Sequence, residues 1–173
     1  MNYKEKLNKI ETFVFDIDGV FTDGKIIVDS QGKESRSFNT KDGIAVKLAN
    51  DLGYNIAIIT GANNDGIKAR MNRLGIKNVF LNSSDKVKDL LNFSKTNNIN
   101  LGKTIYMGDD LPDIFPMNLV YLKTCPHDAA PEIREISDYV SNKKGGEGCV
   151  RDVIEQTLKV QGNWDLSKKN QNI

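Results

Sequence analysis

Short apolar runs alternate along this chain with longer amphipathic stretches. Residues 12–15, 55–59, 78–81, 104–107 and 119–122 are compact and apolar, rich in β-branched, aromatic and other large side chains, and read as strands. Between them, residues 42–52, 64–74, 84–96 and 111–117 carry helical patterns. In 84–96, Val87, Leu90, Leu91 and Ser94 fall on one face, as a surface helix requires. Val153, Ile154, Thr157 and Leu158 repeat that spacing near the C-terminus. Strand–helix repetition of this kind predicts an α/β fold: a Rossmann-like, three-layer parallel sheet with helices on both faces.

One segment interrupts the alternation. Residues 25–38, KIIVDSQGKESRSF, hold two short alternating runs around Asp29-Ser-Gln-Gly32, which predicts a β-hairpin. It follows the first strand directly, where an open sheet would normally enter a helix, and so is expected as an insertion at the ligand-binding edge. Residues 1–162 are expected to form a single domain, and 163–173 a polar, Asn/Lys-rich tail.

Composition narrows the possibilities. The 173 residues include 24 Lys plus Arg and 23 Asp plus Glu, for a formal net charge of +1. That balance favours neither nucleic acid nor an anionic membrane as a partner. No apolar run is long enough to span a bilayer, and the polar start MNYKEKLNKIE has no signal-peptide core. Cys125 and Cys149 match no metal-binding spacing and read as reduced thiols of a cytoplasmic protein. With His127 as the only histidine, read as a loop residue, a His-rich zinc site or a Ser-His-Asp triad has little to rest on.

Open α/β sheets bind ligands at the carboxyl ends of their strands. Asp16-Ile-Asp18-Gly-Val20 follows the first strand and Thr60-Gly61 the second. Lys86 lies near the start of the third predicted helix. Gly108-Asp109-Asp110 follows the fourth strand, with Asp113 one turn on. Several carboxylates brought together repel unless a cation lies among them, and oxygen donors without His or Cys suit Mg²⁺. Asp16 is then the candidate nucleophile toward phosphorus. Asp18, two residues on, is the candidate general acid and base. Thr60, the Gly61 N–H and Lys86 can hold phosphoryl oxygens, Asp109 can serve as the second metal carboxylate, and Asp110 and Asp113 can orient metal waters or Lys86.

These four motifs, in this order and spacing, resemble those of the haloacid dehalogenase superfamily. The resemblance implies a phosphoaspartate mechanism with Mg²⁺ held by the first and fourth motifs, including the Asp18 backbone carbonyl. VFTDGKIIV, the hairpin, Phe38-Asn39-x-x-Asp42-Gly43, Arg70-x-x-x-Leu74-Gly75 and Gly145-Gly146-Glu-Gly148 with Arg151 resemble the family of phosphatases of 3-deoxy-D-manno-octulosonate 8-phosphate, an intermediate of lipopolysaccharide synthesis. That likeness covers roughly residues 10–162. It implies no separate cap domain and a homotetramer in which four hairpins build a β-barrel. A neighbour's hairpin and the Gly145, Gly146 and Gly148 segment would help close each site. Asn39 and Asp42 then stand as substrate contacts or helix caps, and Arg70 as a sugar-carboxylate ligand or a helix-surface charge. The chain departs from the family at Ala62-Asn63-Asn64, where larger or charged residues are common, and close relatives act on nine-carbon keto-deoxy sugar phosphates. A receiver-type signalling domain also uses a phosphoaspartate, a Thr and a Lys. There, however, the Lys follows the acidic residues, and no hairpin interrupts the sheet.

Overall fold

The computed structural model describes residues 3–164. Helix α1 (Tyr3–Leu7) leads into strand β1 (Thr12–Phe15) and then a hairpin of β2 (Ile27–Val28) and β3 (Glu34–Ser35). The chain continues through α2 (Thr40–Asp51), β4 (Asn55–Ile59), α3 (Asp65–Arg73), β5 (Asn78–Phe80) and α4 (Lys86–Asn97). It ends with β6 (Thr104–Met107), α5 (Ile114–Met117), β7 (Leu122–Cys125), α6 (Pro131–Ile136), β8 (Tyr139–Val140) and α7 (Cys149–Val160).

Six strands form one parallel sheet in the order β5-β4-β1-β6-β7-β8. The two-residue period of a strand divides the core into two halves. Phe13, Phe15, Ile56, Ile58, Ile105 and Met107 face one side, against α2, α3 and α7. Val14, Ala57, Ile59 and Tyr106 face the other, against Leu90 and Phe93 of α4, Met117 of α5 and Ile133 of α6. Burial on both faces is why these strands read as continuous apolar runs. Each fully buried Ile, Leu or Phe contributes about 1.5–3 kcal/mol.

The expected architecture is present, with local corrections. The fifth strand begins at Leu122, not at residue 119. Leu119 and Val120 instead wind off α5, their amides donating to Pro116 and Met117 carbonyls at 3.1 and 3.4 Å. Residues 111–117 divide into a 3₁₀ turn, Leu111–Asp113, and the short α5, with Pro112 in the first turn. On α4 the buried stripe is Lys86, Leu90 and Phe93, whereas Leu91 is exposed. Strand β8 and helices α1 and α6 add to the expected set. Of the expected tail, residues 165–173 lie outside the described residues.

The hairpin forms as expected, Ile27 opposite Ser35 and Val28 opposite Glu34. Asp29 builds its turn: the carboxylate accepts from Gln31 and Lys33 amides, both at 2.9 Å. Asn64, the N-cap of α3, ties the hairpin to the body by donating to the Glu34 carbonyl at 3.1 Å. Among the described residues, no helix is long and apolar enough to cross a membrane.

Candidate active site

Strands β1, β4 and β6 lie side by side, and β1 is where the sheet's winding changes direction. The residues that follow them, Asp16, Thr60 and Gly108, therefore reach one crevice at the carboxyl edge. A cleft of about 400 Å³ opens there, lined by Asp16, Asp18, Thr60, Gly61, Lys86, Asp109, Asp110 and Asp113 among others. The Asp16 amide bonds the Met107 carbonyl at 3.1 Å, which continues the β1–β6 ladder and fixes the backbone under its carboxylate. Asp16 Oδ1 accepts from the Ile17 amide at 2.6 Å and Oδ2 from Lys86 Nζ at 2.7 Å. Lys86 Nζ also donates to Asp113 Oδ1 at 2.7 Å. Asp113, fully buried, accepts in addition from the Tyr106 hydroxyl at 2.8 Å and the Asp109 amide at 3.1 Å. Its oxygens are thus occupied in setting Lys86 and the Asp109 backbone.

Asp16, Asp109 and Asp113 bring carboxylate oxygens within 4.8 Å of one another. Burial pushes the Asp16 carboxyl up to about 6, with the Asp113 charge adding to the effect and Lys86 opposing it. Burial, then the Asp16 and Asp113 charges, push Asp109 up to about 8. Burial works against the Lys86 ammonium, but the Asp16 and Asp113 carboxylates outweigh it and raise its pKa. Three carboxylates facing one ammonium leave an excess negative charge that a divalent cation would balance, and the donors are all oxygen. The residues fit such a metal. Gly19 shows how tightly the loop is cradled: a Cβ there would come within 2.0 Å of Asp109 Oδ2.

The remaining expected residues separate by location. Thr60 is buried, its hydroxyl accepting weakly from the Ala62 amide at 3.3 Å, and Gly61 lines the cleft beside it. Asp110 caps the 3₁₀ turn through the Leu111 amide at 2.8 Å. Arg70 lines a larger groove of about 860 Å³ between the hairpin and the start of α3, together with Arg36, Phe38 and Asn63. This groove exceeds the acidic cleft in volume but holds none of its carboxylates. It meets that cleft at Arg36 and at Ala62-Asn63. Four of the expected substrate contacts bond or pack within the chain, Asn39 in the capping role that was its alternative. Asp42 does not face the cleft: it is fully buried, its Oδ1 accepts from the Arg151 amide at 2.7 Å, and burial pushes its carboxyl up to about 6. Asn39 caps α2 through the Lys41 amide and donates to the Gly146 carbonyl at 3.1 Å. Gly145 and Gly146 press on the loop after Asp18; a Cβ on Gly145 would lie 2.0 Å from the Gly19 carbonyl oxygen.

Sequence reasoning missed two polar residues here. Arg36, with a side chain only 3 % exposed, forks onto Asp18, Nε to Oδ1 at 2.7 Å and Nη2 to Oδ2 at 3.0 Å, while Nη1 reaches Glu34 at 2.9 Å. The signal was the alternation Glu34-Ser35-Arg36, which puts both charged residues on one side of a hairpin limb that returns to the acidic edge. Tyr106 was legible as a tyrosine inside a wholly buried strand, whose hydroxyl must find a partner.

No family model matches the chain. It is 33 % identical over 163 residues to the 3-deoxy-D-manno-octulosonate 8-phosphate phosphatase of Escherichia coli K12, covering 94 % of this chain and 87 % of that one. Among solved structures it resembles the 3-deoxy-D-manno-octulosonate 8-phosphate phosphatase of Moraxella catarrhalis, in complex with a magnesium ion, a phosphate ion and a KDO molecule. The TM-score is 0.92 at 34 % identity, covering 97 % of each chain. It also resembles a HAD superfamily (subfamily III A) hydrolase of Legionella pneumophila, with a TM-score of 0.89 at 35 % identity, covering 92 % of this chain and 87 % of that one.

Proposed function

The chain belongs to the family of 3-deoxy-D-manno-octulosonate 8-phosphate phosphatases, within the haloacid dehalogenase superfamily, and on that premise we propose that it hydrolyses this eight-carbon sugar phosphate through an aspartyl-phosphate on Asp16. The observation that carries this reading is the grouping of Asp16, Asp109 and Asp113 around Lys86 at the open edge of the sheet. Asp16, the Asp18 carbonyl and Asp109 would hold Mg²⁺, with Asp110 nearby to orient its waters. When bound, Mg²⁺ supplies neutralisation of the charge shared by the carboxylate and the phosphoryl group. Asp16 attacks phosphorus, and the bond from phosphorus to the sugar oxygen breaks. Asp18, freed from Arg36, takes up a proton from solvent and gives it to that oxygen. In the second half Asp18 takes a proton from water as the water attacks phosphorus, and the Asp16–phosphorus bond breaks to release phosphate. Thr60, the Gly61 amide and Lys86 hold the equatorial oxygens as charge moves. The sugar lies in the larger groove, with Arg70 toward its carboxylate. The buried free thiols Cys125 and Cys149 suit the reducing cytoplasm.

The small Ala62-Asn63 pair bordering that groove favours a second reading, a nine-carbon keto-deoxy sugar 9-phosphate. Phosphate release from both sugar phosphates and from common hexose phosphates tests the assignment. The eight-carbon substrate is expected to lead the hexose phosphates by at least ~10-fold in kcat/KM, or about 1.4 kcal/mol. Equal rates across the panel would overturn it. EDTA should reduce the rate to background, with recovery on adding Mg²⁺ but little with Ca²⁺, whose larger shell lets it take both oxygens of one carboxylate. Undiminished turnover in chelator would refute the metal role.

We further propose a homotetramer whose hairpins pair into a barrel over neighbouring sites. A two-stranded hairpin is marginal by itself in water, yet Ile26, Ile27 and Val28 are 44 %, 69 % and 59 % exposed. Pairing would cover those side chains and the open strand edges. Deleting residues 25–38 should abolish the tetramer and cut sugar-phosphate turnover more than that of a small aryl phosphate. Light scattering that shows a fully active monomer would reject this arrangement.

A further inference from the structure

We infer that Asp42 and Asn39, at the start of α2, are positioning residues for catalysis: they hold the glycine loop 145–148 against the back of the loop that carries Asp18. Helix α7 begins after Gly148, which adopts φ +104° and has no side chain with which to cap it. Asp42 supplies the missing cap from another helix, through Oδ1 and the Arg151 amide at 2.7 Å. A carboxylate is well placed at that helix start. Its Oδ2 is buried without a hydrogen-bond partner. A buried carboxylate so incompletely satisfied is costly to keep, which argues for a role beyond packing. One turn earlier, Asn39 donates to the Gly146 carbonyl at 3.1 Å.

The loop thus anchored meets the acidic motif at close range. The Gly146 amide donates to the Val20 carbonyl at 3.0 Å, and the Cys149 thiol to the same oxygen at 3.1 Å. Gly19 lies between two contacts: its own Cβ would strike the Asp109 carboxylate, and one on Gly145 would strike the Gly19 carbonyl. A displaced glycine loop therefore frees Gly19, and with it the backbone of Asp18 and the setting of Asp109. The chain of contacts runs from Asp42 and Asn39 through residues 145–151 to residues 17–24. None of these residues lines the sugar groove, which Asp18 meets only through Arg36.

This inference rests on the phosphatase reading, and its test separates the two. Asn39→Asp keeps an acceptor for the Lys41 amide but loses the donor to Gly146. Asp42→Ala removes the cap of α7, and Asp42→Asn restores an acceptor for the Arg151 amide. Asn39→Asp and Asp42→Ala should each lower kcat by about tenfold or more with KM within about twofold, and Asp42→Asn should recover most of the loss. Hydrogen exchange, read without substrate, should rise in peptides covering 17–24 and 144–151 and stay unchanged over β4. If Asp42→Ala does not fold, Asn39→Asp and Asp42→Asn carry the test. Unchanged exchange at 17–24 in Asn39→Asp, or a kcat within twofold of wild type, would overturn the inference. A wild type inert toward every sugar phosphate would overturn the phosphatase reading instead, and the exchange result would stand by itself.

Discussion

Asp16→Asn is expected to lower kcat at least a thousandfold, about 4 kcal/mol in the barrier, while the protein remains folded. The amide matches the carboxylate in shape, so the β1 terminus and its bond to Met107 need not move. It has no anionic oxygen with which to attack phosphorus, and the Asp18 carboxylate is engaged by Arg36. Stability should move the opposite way. The folded-state pKa of Asp16 stands near 6, above its ordinary 3.8, so between those values the folded protein binds a proton that the unfolded chain releases. Stability therefore falls as pH rises through that window, and above it the ionised carboxylate costs on the order of 2–3 kcal/mol. Removing the charge should raise the melting temperature at neutral pH in metal-free buffer, with the gain vanishing below about pH 4. A variant that keeps more than about a hundredth of wild-type kcat would dismiss Asp16 as the nucleophile.

Lys86→Met should damage both activity and stability. The ammonium lies 2.7 Å from Asp16 and 2.7 Å from Asp113, with only 8 % of its side chain exposed. Methionine fills the stem but leaves two carboxylates facing each other without their cation. Breaking a buried ion pair from one side costs about 3–5 kcal/mol, which for a chain of this size lowers the melting point by on the order of 10 °C. Turnover should fall at least ~100-fold, because the phosphoryl oxygens lose a charged donor and Asp16 loses the group that orients it. Lys86→Arg should rescue little, since a planar guanidinium does not fit a space built around a point charge. Wild-type melting with more than a tenth of wild-type kcat would contradict this role.

What the sequence revealed follows from how each element is buried. Strands β1, β4 and β6 lie inside a parallel sheet covered on both faces, so their apolar runs are unbroken and end where the polar motifs begin. Strand β7 carries Lys123 and Thr124 nearer the sheet's edge, so its composition does not mark it, and the apolar 119–122 run drew the assignment three residues early. Leu91 fitted a helical stripe by spacing, yet the side of α4 that meets the sheet is set by Lys86, Leu90 and Phe93. Asp16 and Asp109 were legible because each lies within two residues of a strand end. Arg36 and the cap from Asp42 to α7 were not, because both join segments far apart in the chain and depend on how the hairpin and last helix dock. The barrel of hairpins lies beyond what one chain can display.

The place of β1 also governs the order of events during synthesis. It is made before the other strands of this sheet, yet it lies in the interior, with Thr12 paired to Asn55 on one side and Thr104 on the other. At ~5–20 residues per second, its second neighbour leaves the ribosome on the order of ten seconds after it does. Through that interval TFVF is an apolar segment whose edge toward β6 is unpaired. The glycine loop emerges later still, so the nascent chain has no fully backed phosphate site until residues 145–148 have been translated.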